Sequence, residues 1–309
     1  MRNMLYRQIM GLLRTVRKDF HLYLMILPVF AGFIIFRYIP IINNLFIGFV
    51  KYNLLKGMWG SEFVGFKYFI QFFNDPFFGR LIKNTLLLGV YSLIWGFPVP
   101  IILALLVNEI KSLRFKRIAQ SISYLPYFIS VVVIVGITYK VFATLGPINA
   151  LLESIGMKRV TFVGSSTWFR TLYIGTGIWQ YAGWSSIIYL ASIAGINPEL
   201  YQAAIIDGAN RYRRAYHITI PGMLPAITII FILSVGSIIE IGFEKVFLMY
   251  SPVIYDVADV ISTYVYRRGI IAMDFSYGGA VGFFNSIIAF ILVVSANYVL
   301  KRLGDTSLF

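Results

Sequence analysis

Residues Asn197 to Pro225 read NPELYQAAIIDGANRYRRAYHITIPGMLP, and the other segments of the chain take their meaning from this one. It is a long connector that mixes helix signals with charge and lies between two strongly apolar runs. Asn197 suits an N-cap, Pro198 suits the first helical position, where an amide would go unpaired anyway, and Glu199 complements the positive end of the helix dipole. A short helix is therefore expected from Pro198. It places Leu200, Ala203, Ala204 and Asp207 on one face at i, i+3, i+4 and i+7, with Gly208 as its stop. Two alanines on that face let another surface come close. A second helical stretch, Asn210 to Ile218, carries Arg211, Arg213 and Arg214, and Pro221 and Pro225 are expected to break the chain before the next apolar run. Physics alone makes the unit an amphipathic loop at a membrane surface.

The residues Gln202, Ala203, Ala204, Asp207, Gly208 and Ala209, followed by Ile218-Thr219-Ile220-Pro221 and Pro225, resemble the EAA loop of binding-protein-dependent ABC importer permeases. Glycine and proline both fall at that family's spacing. Gln202 stands where the family usually has glutamate, which keeps hydrogen-bonding length and loses the charge. Ala215 stands where an aromatic residue is common. The resemblance implies that Gln202, Ala203, Ala204, Asp207, Gly208 and Pro221 form a coupling helix docking into a cytoplasmic ATPase subunit. It also implies the fold: an all-α transmembrane, six-span type I permease.

Composition points the same way. Hydrophobic residues make up 59% of the chain and charged residues 13%, against about 45–50% and about 25% in soluble domains. A polytopic membrane protein follows, with room for several spans of ~20 residues and none for an added catalytic domain. With no cysteine there is no disulfide, thiolate nucleophile or zinc-thiolate site. The net charge of +14 is spread through connectors instead of forming one stripe, which argues against nucleic acid. Two histidines, His21 and His217, each sit beside an expected membrane boundary, so no metal site is expected.

Taken in order, residues 1–19 form a basic amphipathic segment suited to an anionic inner leaflet of membrane lipid. Residues 20–309 form the permease domain, with the coupling loop at 197–225. An uncleaved first span covers His21 to Phe36, ending at Arg37-Tyr38-Ile39-Pro40. A mixed connector covers Asn43 to Lys83. The second span is Asn84 to Val107 and the third Ile118 to Phe142, kinked at Pro126. A loop from Thr144 to Trp168 leads to a fourth span, Phe169 to Ala194. The fifth is Ala226 to Met249 and the sixth Gly278 to Leu300. The dense basic turn at Lys111, Arg114, Lys116 and Arg117 marks the cytoplasmic side. With six spans, both termini and the organising loop lie on that side of the cell membrane.

Polar groups inside apolar spans are costly and need a partner or a purpose. Glu240 lies roughly 22 Å along the fifth span from Pro225, where a carboxylate lining a watery vestibule accepts hydrogen bonds from sugar hydroxyls. Glu244 sits one turn further on the same face. Trp179, Tyr181 and Trp184 fall near the middle of the fourth span, where rings stack on sugar faces, and Asn285 falls in the sixth. The competing readings are lipid-facing or packing aromatics, and an ion pair from Glu240 to Arg37 or Lys140. Asp256 and Asp259 read as a solvated loop face. There is no phosphate-binding G-x-x-x-x-G-K-[ST] motif and no nucleophile with a triad-like base, so no catalytic residue is expected. ATP and magnesium would belong to a partner.

The segments Gly242 to Phe247, Tyr255 to Arg267, Asp274 to Tyr277 and Trp179 to Trp184 are similar to permeases of complex oligosaccharide and polysaccharide importers. That resemblance implies a carbohydrate substrate, a second homologous permease subunit, two cytoplasmic ATPase subunits and an extracellular solute-binding lipoprotein. Two other readings stay open from the residues themselves. An ion-coupled secondary transporter would want paired ionisable groups near the midplane and broken-helix repeats. A non-transporting membrane scaffold would use the loop to hold another cytoplasmic protein.

Overall fold

The computed structural model describes residues 19–303; the basic segment predicted at 1–19 lies, but for its last residue, outside them. The described chain is helical apart from one hairpin. Helix α1, Phe20–Ile47, runs past Arg37 and Pro40, at which the sequence predicts an end. Residues Ile34–Tyr38 form a π turn two residues ahead of Pro40. Proline lacks an amide and its ring presses on the carbonyl four residues back; a locally wider turn takes up both faults and the helix continues.

No side chain of α1 is buried, and the helix meets the rest of the chain at its end. There Gly48 lies against the backbone of Ala280, and a Cβ on Gly279 would stand 2.2 Å from the Ile47 side chain. The predicted connector holds a hairpin, β1 Val50–Asn53 and β2 Gly57–Phe63, antiparallel with Val50 opposite Phe63. A short α2, Lys67–Phe73, follows.

Helix α3, Phe78–Asn108, begins before the predicted Asn84. The third span departs from prediction more sharply: α4, Leu113–Phe128, and α5, Val131–Val141, meet at 101°, a break instead of a kink at Pro126. Ile129 and Ser130 are extended, and the Ser130 hydroxyl caps α5. The loop that follows contains α6, Pro147–Ser154. Helix α7 spans Phe169–Ala194, as the sequence predicts, and carries nine buried residues. Its Gln180 donates to the Ile129 carbonyl at 3.1 Å, satisfying an acceptor that the break removes from the helix ladder. One turn on, Gly183 sits so close to Ser123 that a Cβ would come within 1.9 Å of its carbonyl oxygen.

Helix α8, Pro198–Ile206, is the first half of the organising loop. The predicted break at Pro221 and Pro225 is absent. Helix α9 runs unbroken from Arg211 to Gly236, with a π turn at Ala215–Thr219 that again precedes a proline, Pro221, by two residues. The fifth span then ends early. Residues 237–242 leave the helix before α10, Phe243–Met249, so Glu240 sits in a non-helical segment and not on a continuous span to Met249. Short α11, Tyr255–Ala258, and α12, Ile261–Val265 with a π turn at Tyr266–Ile271, lead to α13, Phe275–Leu303.

Helices α1, α3, α9 and α13 are long and apolar enough to cross a membrane, and the bent pair α4–α5 would make a fifth span. Helix α7, 26 residues and about 39 Å long, is the remaining long helix; predicted as the fourth span, it is long enough to cross but less apolar than the others, and nine of its residues are buried. Near the organising loop, Ala104, Tyr189, Ile193 and Met223 pack together. Towards the other end a larger cluster joins Leu88, Val135, Phe169, Leu172, Val246 and Met249.

At that far end the reading of Asp259 as solvated is overturned. Its carboxylate is fully buried, paired with Arg267 at 2.7 Å and Arg80 at 3.2 Å, and accepts from the Thr263 hydroxyl at 3.0 Å. Burial would lower the Arg267 guanidinium's value, and the Asp259 contact more than reverses this. Asp256 is exposed as expected and accepts from Ser166 at 2.8 Å. Nearby, Asp75 accepts from the Tyr264 and Tyr277 hydroxyls and the Phe77 amide. Burial alone would raise that carboxyl; these donors hold it below its usual value.

Candidate functional site

Two regions are joined by α9. The first is the loop end. The Asn197 side chain accepts from the Glu199 amide at 3.0 Å, and the helix closes with the Gly208 amide on the Ile205 carbonyl and the Ala209 amide on the Ala204 carbonyl. Gly208 has φ +74°. This is the Schellman arrangement, which places a left-handed residue just past the last turn and therefore favours glycine. The Asn210 side chain then caps α9, accepting from the Arg213 amide at 2.9 Å.

No residue of α8 is buried. Tyr201 and Ala204 are half-buried on the side facing the bundle, while Leu200, Gln202, Ala203, Ile205, Ile206 and Asp207 are exposed. Ile206 is 86% exposed, an apolar surface that needs cover. The inward side is tied down: the Tyr201 hydroxyl and the Thr219 hydroxyl lie 3.0 Å apart, which links α8 to the π turn of α9. Pro221 lies in the turn immediately after that π turn and is exposed.

The second region is a cavity of about 530 Å³, within the size range of ligand sites. Helix α7 contributes Tyr173, Gly177, Tyr181, Ser185 and Tyr189; α9 and the segment after it contribute Ser234, Ser237, Ile238 and Glu240; α10 contributes Glu244 and Lys245; α3 contributes Ser92 and Gly96. The segment after α9 comes in tightly, since a Cβ on Gly89 would stand 1.9 Å from the Ile238 carbonyl oxygen. Glu240 and Glu244 are both exposed, and neither makes an ion pair among the described residues. Serine hydroxyls, tyrosines and two carboxylates around a space of this size can exchange hydrogen bonds with a polyhydroxylated ligand.

Glu240, Glu244 and Tyr181 thus share one cavity. Trp179 does not join them; it is half exposed on the opposite side of α7, lining an apolar pocket of about 400 Å³ with Ile134, Phe162 and Trp168. Residues two apart on a helix point in divergent directions, so Trp179 and Tyr181 cannot both face one space. Trp184 stacks on Tyr127 at 4.4 Å between centroids. Asn285 does not line the cavity; its Oδ1 is buried without a hydrogen-bond partner. Lys245 and the serines escaped the sequence reading. The spacing of Gly177, Tyr181, Ser185 and Tyr189, four residues apart along one face, was the available signal for the α7 wall.

The profile of the family described as "Binding-protein-dependent transport system inner membrane component" matches residues 82–305. The chain belongs to this family. Among curated relatives of this permease, protein LplB of Bacillus subtilis is 41% identical over 96% of this chain and 93% of its own length. The polygalacturonan/rhamnogalacturonan transport system permease YteP of the same organism is 42% identical over 94% of this chain and 90% of its own. A crystal structure of a bacterial alginate ABC transporter, in complex with a periplasmic protein carrying an alginate pentasaccharide, contains a chain that superposes with a TM-score of 0.87. The two are 40% identical, and the match covers 96% of this permease and 99% of that chain. Among the described residues no cluster of three or more potential metal ligands occurs.

Proposed function

We propose that this permease is one transmembrane subunit of an ATP-driven importer of oligosaccharides or sugar polymers, and that it forms part of the translocation pathway. The observation that carries the reading is one helix. Helix α9 starts at the exposed loop beside Gly208 and ends in the cavity wall at Ser234, continuing into Ser237, Ile238 and Glu240. A rigid helix of 26 residues moves as a body, so a displacement of α8 reaches the cavity, as a two-state mechanism requires.

In this reading the exposed face of α8, with Gln202, Ala203 and Asp207, docks on a cytoplasmic ATPase, and ATP and magnesium act there. A second homologous permease completes the pathway, an extracellular binding lipoprotein delivers the sugar, and both termini are cytoplasmic. Glu240, Glu244 and Tyr181 face the sugar. The sugar class is supported by the likeness to the polygalacturonan/rhamnogalacturonan permease and to the alginate transporter chain. Glu240 and Glu244 make no ion pair among the described residues, which leaves both carboxylates available to ligand hydroxyls.

The test uses Gly208, around which a Cβ would meet nothing within 4 Å. A substitution there acts through the backbone alone. Gly208→Val, a β-branched residue at positive φ, costs roughly 1–2 kcal/mol and opens the turn, whereas Asn tolerates this conformation. With the complete complex in lipid nanodiscs, loaded binding protein should stimulate ATP hydrolysis in the native and Gly208→Asn forms and fail to do so in Gly208→Val. Equal stimulation in all three would remove α8 from the coupling path.

A further inference from the structure

Lys245 is the one cation among the residues lining the cavity, and it is only 7% exposed. Its ammonium donates to the Tyr173 carbonyl at 2.7 Å and stands 4.8 Å from the centre of the Tyr173 ring. Helix α7 makes room for it at Gly177, where a Cβ would lie 3.3 Å from Nζ. No carboxylate pairs with it among the described residues. Glu244 is its chain neighbour and Glu240 is five residues back; both face the same cavity and are exposed.

An ammonium has three donors, and one is met by Tyr173. A buried cation with donors to spare and no counter-charge is costly to keep. A ligand oxygen bearing negative charge removes that cost, and the cavity is where such a ligand would sit. The two glutamates oppose an anion, yet they are exposed, where the high dielectric of water weakens their repulsion far more than it weakens the pull of a buried ammonium. The screened carboxylates are suited to accept from hydroxyls, and the buried ammonium to hold a carboxylate. We propose that Lys245 reads the charge of the transported sugar and that the substrate is a uronic-acid oligosaccharide. This rests on the importer reading above.

The experiment reconstitutes the complete transporter in liposomes and follows ATP-driven uptake of a tetragalacturonate and of its carboxyl-reduced neutral counterpart. Native protein is compared with Lys245→Met and Lys245→Arg. Binding of both sugars to the complex without its binding protein is a second readout. Lys245→Met should lower uptake and binding of the acidic sugar roughly tenfold or more, the size of a lost hydrogen bond to a charged group. It should leave the neutral sugar within about twofold, and Lys245→Arg should restore most of the loss. Equal losses for both sugars, or none for either, would overturn the assignment. So would failure of Lys245→Met to assemble combined with an Arg variant that assembles and no longer prefers the acid. Native uptake of the neutral sugar alone would overturn the charge inference and leave the importer reading standing. Absence of ATP-driven uptake of either sugar would overturn both.

Discussion

Asp259 shows what a single side chain can hold. Its carboxylate, with no exposed surface, answers two guanidiniums whose side chains are 25% and 33% exposed, and its backbone carbonyl accepts from Asn84 at 3.1 Å. Removing one partner of a buried pair leaves the other charge uncompensated, which costs about 3–5 kcal/mol. Asp259→Ala should therefore lower the thermal unfolding midpoint of the purified complex by several degrees, while Asp256→Ala, at an exposed neighbour, should leave it within a degree or so. Similar midpoints for the two would place the stability of the far end elsewhere. The sequence could not single out Asp259. Its partners lie 8 and 179 positions away, and local composition around it matches that of a solvated loop. The caps were legible for the opposite reason: Asn197 and Gly208 act on backbone groups within a few residues of themselves.

At the scale of an element, the prolines carry the lesson. Pro40 and Pro221 read as helix ends, and each is instead absorbed by a π turn just before it. Hydropathy located the apolar runs, yet not where a run stops being helix. The break at Ile129 depends on Gln180, 51 residues on, and the end of α9 at Gly236 comes where Val293 fills the space beside it. The join between α8 and α9 has its own test. Tyr201→Phe deletes the hydroxyl 3.0 Å from Thr219 and nothing else, at a cost of about 1 kcal/mol. The complex should assemble and hydrolyse ATP, but consume more ATP per sugar imported, because α8 can then slip against α9. An unchanged ratio would mean that the covalent turn at Gly208 suffices.

For the whole molecule, alternating access predicts that one position on the cavity wall meets water from opposite sides in different states. The chain has no cysteine, so Ser234→Cys gives a single reporter on α9, pointing into the cavity. A membrane-impermeant maleimide should reach it from one face of sealed vesicles without nucleotide, and from the other face with ATP trapped. Labelling from the same face in both conditions would contradict the mechanism. That a cavity would lie at Glu240 was legible in the sequence. Which face of α7 lines it was not, because Trp179 and Tyr181 are equally aromatic and differ only in angular position.

Residues 237–242 give the fold a further consequence. They follow α9 about 17 Å beyond Pro225 as a non-helical stretch in which only a few turn bonds remain, from the amides of Ser237, Ile238 and Glu240 to the carbonyls of Leu233, Val235 and Ser237. Hydrocarbon cannot solvate the peptide groups left over, and exposed peptide at that depth persists only beside protein or water. Lipid is therefore excluded as the sole neighbour of this stretch. The chain supplies cover itself: Ile238, Ile239 and Ile241 are buried in it, and Glu240 opens on the cavity, so this stretch of loose backbone can change shape without meeting lipid.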